Sequence, residues 1–174
     1  MCIRDRVNVV VASNIYVSQS GGHQFPYGSW ESASTTIQAA VDSAFPGSYI
    51  WVAGGVYDSG GRAAGGWCLL TNRLVIDKPV TVRAADGPEN TFIVGWPYKD
   101  YWGPDAIRGV WLCEDGVLDE FTITNGATWH PAVPYETDDL IADDFSGGGI
   151  MCEGPDSIIT NCIISKNSAG WGGG

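Results

Sequence analysis

Short apolar runs, broken at near-regular intervals by Gly, Pro, Asn and Asp, constrain this chain more than any other feature. The runs are Tyr49 to Val52, Arg73 to Ile76, Val80 to Ala84, Thr91 to Val94, Gly109 to Cys113, Glu120 to Thr124, Gly149 to Cys152 and Ser157 to Ser165. Each has the length and β-branched or aromatic content of a strand. The breaks Asp86-Gly87-Pro88, Glu114-Asp115-Gly116 and Glu153-Gly154-Pro155-Asp156 are turn signals longer than a two-residue hairpin loop. Two runs repeat: Val110-Trp111-Leu112-Cys113-Glu114 matches Gly149-Ile150-Met151-Cys152-Glu153, and each is followed by a second apolar run, Phe121 to Thr124 and Cys162 to Ser165. The offset is thirty-nine residues, of which twenty form an insertion rich in Pro and Asp, Ala127 to Ser146; without it the period is nineteen. Short strands at a fixed period mark a solenoid, in which each coil buries its face only against its neighbours. The expected fold is all-β, a parallel β-helix.

One segment breaks the pattern. From Thr35 to Phe45, Ile37, Ala40, Val41 and Ala44 recur at helical spacing on one face, Thr35 with Gln38 reads as a capping box, and Pro46-Gly47 closes the helix. The helix is well placed to cover the strand edge that a stack leaves open at its start. The opposite edge has no such element. Asn125 and Asn167, just past strand ends, fit left-handed turn positions whose amides ladder between coils, and Cys113 and Cys152 are expected to stack in neighbouring coils at about 4.8 Å.

Composition narrows the function. The net charge of −11 repels phosphate backbones and anionic lipid, which argues against nucleic acid as a partner. No run approaches the roughly 20 apolar residues of a spanning helix. Residues 1–12 read as a spurious leader, Met1 to Arg6, of the kind adapter read-through leaves on assembled environmental sequences, followed by Val7 to Ala12, which is either a signal-peptide remnant or an ordinary first strand. Residues 13–174 read as the first coils of the solenoid, cut short within the final glycine run. Cys68, Cys113, Cys152 and Cys162 lack zinc-ligand spacing, and thiols are the default reading over disulfides.

The stretch Thr36-Ile37-Gln38-Ala39-Ala40-Val41-Asp42-Ser43-Ala44, then Pro46 to Ala53 and Gly55-Val56-Tyr57, resembles the N-terminal cap and first coil of the right-handed parallel β-helix, or pectin-lyase-like, superfamily. Gly147 to Cys152, Ser157 to Ser165 and Asn167-Ser168-Ala169 resemble the Gly-rich repeat of exported bacterial β-helix proteins, adhesin-like ones included. The resemblance spans most of Tyr16 to Gly174 and implies a secreted or cell-surface location.

Enzymes of this fold group carboxylates and a base or acid on the outer face of adjacent strands. No such pattern is legible here: Arg83, the one basic residue in a central run, shows no carboxylate partner in register and reads as a solvated side chain. Glu136, Asp138, Asp139, Asp143 and Asp144 in the insertion could supply oxygens to Ca²⁺, with Asp138, Asp139, Asp143 and Asp144 the candidate ligands. Their spacing fits no defined calcium loop, so no cofactor is expected and calcium should raise the melting temperature only slightly. His23 and His130 read as ordinary loop residues. Aromatic rings in long loops suit sugar faces, and Trp96, Tyr98, Tyr101, Trp102, Trp129 and Tyr135 are the candidate glycan contacts; the alternative is that these rings pack as lids over the flank of the solenoid.

Three functions fit this reading. The first is a non-catalytic extracellular module with a polysaccharide or cell-surface glycan as partner. The second is the first part of a polysaccharide lyase or glycoside hydrolase whose catalytic residues lie on other coils. The third is a structural assembly subunit that self-associates through the uncovered edge.

Overall fold

The computed structural model describes residues 12–65, 68–96, 105–113, 115–129 and 142–170. Among the described residues thirteen strands and two helices run in the order β1 (Asn14–Val17), α1 (Ile37–Ser43), β2 (Tyr49–Val52), β3 (Gly55–Tyr57), β4 (Arg62–Gly65), β5 (Cys68–Ile76), β6 (Thr81–Ala84), β7 (Thr91–Val94), β8 (Ile107–Leu112), β9 (Val117–Asp119), β10 (Thr122–Thr124), α2 (Ala142–Phe145), β11 (Ile150–Cys152), β12 (Ile158–Thr160) and β13 (Ile163–Ser165).

The strands form three sheets: sheet A in the order β1-β2-β6-β9-β12, sheet B β13-β10-β7-β3, and sheet C β11-β8-β5-β4. Among the described residues, all pairings between these strands are parallel except the β4–β5 hairpin at the edge of sheet C. From β5 onward successive strands enter sheets C, A and B in turn, and each sheet gains one strand per circuit. The result is a parallel β-solenoid of about 3 turns.

Period-two alternation builds the interior. In sheet A, Ile15, Ile50, Val82 and Leu118 are register neighbours and all buried, as are Val17, Val52 and Ala84 one step along. Tyr57, Ile93 and Ile123 continue the core from sheet B, and Leu74, Ile76, Val110 and Leu112 from sheet C. Burying a side chain of this size contributes about 1.5–3 kcal/mol, so these rows carry most of the fold's stabilisation.

Several expectations need correction. The repeat is one residue out of step with the Cys-Glu match: Val110 faces Ile150 and Leu112 faces Cys152, so Cys113 and Cys152 do not stack. A slip of one residue turns a strand inside out, and keeping Val110 and Leu112 in the core overrides the matching letters. The left-handed positions likewise fall at Asn125 with Lys166, and at Glu120 with Asn161, rather than at Asn125 with Asn167. Asn167 instead ties backbone across the coil, accepting from Gly126 N at 2.7 Å and donating to Ile123 O at 3.0 Å. The run Ser157 to Ser165 is two strands, β12 and β13, with the bend at Asn161 (φ 52°).

Helix α1 is shorter than its apolar pattern, and Thr36, not Thr35, caps it by accepting from Ala39 N. Gln38 is free of the capping role and reaches sheet C, where its Oε1 accepts from Val75 N at 2.8 Å and its Nε2 donates to Val75 O at 3.1 Å. Close approach between coils explains part of the glycine content: a Cβ on Gly126 would strike the Gly148 carbonyl, and one on Gly148 the Ser168 carbonyl.

Candidate binding face

The outward residues of sheet A are set by the same alternation that fills its core. Asn14, Tyr49, Thr81, Val117 and Ile158 form one row, and Tyr16, Trp51, Arg83, Asp119 and Thr160 the next. The second row concentrates aromatic and charged chemistry from five strands far apart in sequence.

Arg83 sits at its centre. Its guanidinium lies 5.8 Å from the Trp51 ring centroid, an attractive cation–π arrangement. On the other side its Nη2 donates to Glu120 Oε1 at 3.1 Å and its Nε lies 3.5 Å from Asp119 Oδ2. Asp119 is almost wholly buried, and its Oδ1 accepts from Asn161 Nδ2 at 2.9 Å, so the coil beyond fixes this carboxylate. Glu120 reaches Arg83 from a left-handed backbone (φ 66°), a conformation unfavourable for Glu that turns the chain at the end of β9.

The aromatic end is equally ordered. Trp51 Nε1 donates to Asn14 Oδ1 at 3.1 Å, which holds the indole against the sheet, and Tyr49 stacks beside it with centroids 6.5 Å apart and planes 20° apart. Trp30, from the β1–α1 loop, meets Tyr16 edge to face at 4.8 Å. Trp30 and Tyr49 remain 41% and 50% exposed, so two rings of the cluster are open to a ligand. Fixed rings beside hydroxyl, guanidinium and carboxylate groups can take an apolar face and its polar edges together.

Arg83 is therefore not the unpartnered surface cation its isolated run implies. Its carboxylates come from the next coil, Asp119 directly in register and Glu120 one residue on. Sequence inspection could have found this row by aligning the buried positions Ile50, Val82 and Leu118, since their neighbours Trp51, Arg83 and Asp119 then coincide.

Of the residues expected to contact sugar, Trp96 and Trp129 are described, and neither stands on the outward rows of sheet A. Trp96 follows β7, is 60% exposed and pairs its backbone with Ile107. Trp129 packs against Leu70, Ala106 and Ala127, and its buried Nε1 meets no hydrogen-bond partner among the described residues. Tyr98, Tyr101, Trp102 and Tyr135 lie outside the described residues, as do His130, Glu136, Asp138 and Asp139; of Asp143 only the backbone, in α2, is described. Asp144 is buried and accepts from Leu69 N at 3.1 Å and Leu70 N at 3.0 Å, which anchors the insertion to β5. The insertion also meets Arg108, a fully buried side chain absent from the sequence reading, which donates to Asn72 Oδ1 and to the carbonyls of Ser146 and Gly147. Among the described residues no group of three or more His, Cys, Asp or Glu gathers around a metal-sized space. Burial pushes the thiols of Cys113, Cys152 and Cys162 above their usual range, which disfavours the reactive thiolate. No described helix is long and apolar enough to cross a membrane.

Fold and face together define a parallel β-solenoid with an aromatic and charged ladder on one outer sheet. No family model, curated protein or solved structure matches the chain.

Proposed function

We propose that this chain is a right-handed parallel β-helix module of the pectin-lyase-like kind, secreted or displayed at a bacterial surface, with α1 as its cap, and that it binds carbohydrate through the outer face of sheet A. The observation that supports this reading is the ladder Tyr16-Trp51-Arg83-Asp119-Thr160, flanked by the exposed rings of Trp30 and Tyr49. Rings offer stacking surfaces to pyranose C–H faces, and the charged and hydroxyl groups beside them match sugar hydroxyls. Affinity electrophoresis of the wild-type chain and Trp51→Ala through gels containing polysaccharide tests it. Retardation of the wild type that Trp51→Ala relieves supports the reading; identical mobility of both in every gel sinks it.

The cluster of Arg83 with Asp119 and Glu120 favours a second reading, a polysaccharide lyase or glycoside hydrolase, since a cation beside two carboxylates on adjacent strands is the grouping such chemistry uses. Release of new reducing ends from a bound polysaccharide, abolished by Asp119→Asn, would establish it. Binding without release over many hours leaves the non-catalytic module.

A further inference from the structure

We infer, resting on the carbohydrate-binding reading, that the ligand is a linear uncharged polysaccharide, and that Arg83, Asp119 and Glu120 select against polyuronates. The cation is already committed. Arg83 is the sole cationic side chain on the two outward rows of sheet A, its guanidinium lies over Trp51, and its Nε and Nη2 face Asp119 and Glu120. One positive and two negative groups leave this part of the face net negative, and the chain as a whole carries −11. A uronate carboxylate laid here meets two like charges and no uncommitted cation of the face, which costs affinity and slows encounter.

The groups left over suit hydroxyls. Glu120 Oε2 and the hydroxyls of Thr81 and Thr160 have no protein hydrogen-bond partner among the described residues, and an ionised carboxylate oxygen accepts strongly from a sugar hydroxyl. The shape calls for a chain. Five strands at a spacing of about 4.8 Å make each outward row about 19 Å long, running across the strands, which fits several linked sugars better than one.

The test uses three probes in affinity electrophoresis at low salt: a neutral galactan, polygalacturonate, and the same polygalacturonate with its carboxyls fully methyl-esterified. The wild type should bind the neutral galactan about tenfold more tightly than polygalacturonate, and esterification should restore most of the difference. Asp119→Asn with Glu120→Gln should narrow the ratio to about threefold or less. Raising the salt should narrow it in the wild type without any substitution, which holds even if the double variant fails to fold. Equal or tighter binding of polygalacturonate, or a ratio that ignores both salt and esterification, overturns the selectivity while leaving sugar binding intact. Failure to bind all three probes overturns both.

Discussion

The first and last coils are written in similar letters and end up in different states. At the start, the outer edge of β1 is paired: Tyr16 N donates to Tyr27 O, Ser34 N to Tyr16 O, and Ser18 N to Ser34 O, all at 2.9 Å. Gln38 satisfies both backbone groups of Val75 on a second edge. Ile15, Ile50 and Val82 behind them are buried. At the other end, Ile158, Ile159, Ile163 and Ile164 are 51%, 37%, 40% and 48% exposed, although Ile159 is the register partner of the fully buried Leu118. The difference lies in what is stacked on each strand, not in the strand itself. In a solenoid a residue's burial is supplied by its neighbouring coil.

Substitutions can sharpen or break that contrast. The largest effect should be on association: the wild-type chain should self-associate through the exposed isoleucines as concentration rises, and Ile158→Lys with Ile163→Lys should return it to monomer by light scattering. A wild-type monomer at all concentrations would show that these isoleucines do not drive association. Next, Leu118→Ala should cost about 2–5 kcal/mol in urea unfolding, while Ile159→Ala, one coil along the same row, should cost below about 1 kcal/mol. Equal costs would erase the contrast.

A smaller effect belongs to the covered coil. Burial first, and the Asp86 charge second, push the Tyr57 phenol up to about 12 from 10.0, and its hydroxyl donates to Ala53 O at 2.9 Å. A raised acid group stabilises the fold fully below its unfolded pKa and ceases to do so as pH climbs through the folded one. Stability should therefore fall by about 1–3 kcal/mol between pH 10 and 12 on this account, and Tyr57→Phe should remove that part of the decline. The smallest effect is at Glu120. Asn tolerates the left-handed backbone that Glu120 adopts, so Glu120→Asn should raise stability by up to about 1 kcal/mol despite losing the Arg83 pair. A marked loss would mean that the ion pair holds the face together.

The fold was legible because its signal is local and repeated. The β-branched and aromatic content of Tyr49-Ile50-Trp51-Val52 or Thr91 to Val94 marks a strand without knowledge of its partner, and the buried face of α1, Ile37, Ala40 and Val41, with Ala44 just past its end, shows in its spacing. Strands β1, β3, β4 and β9 escaped: each is three or four residues long, and β4 is an antiparallel return whose register shifts between Ala63 and Gly65. The aromatic and charged row was not legible for a different reason. Trp51, Arg83 and Asp119 meet only through the register, and the coils differ in length, so that Asn14, Tyr49, Thr81, Val117 and Ile158 align at unequal intervals.

The face exists only if β6 and β9 pair in this register. The direct measurement is oxidative cross-linking with disulfide mapping by mass spectrometry in two double variants, Thr81→Cys with Val117→Cys and Thr81→Cys with Asp119→Cys. Facing residues on paired strands lie within disulfide reach, whereas a partner two positions along sits about 8 Å away and out of reach. A cross-link is expected in the first variant and none in the second; a cross-link in the second alone would move Asp119 away from Arg83 and dissolve the face.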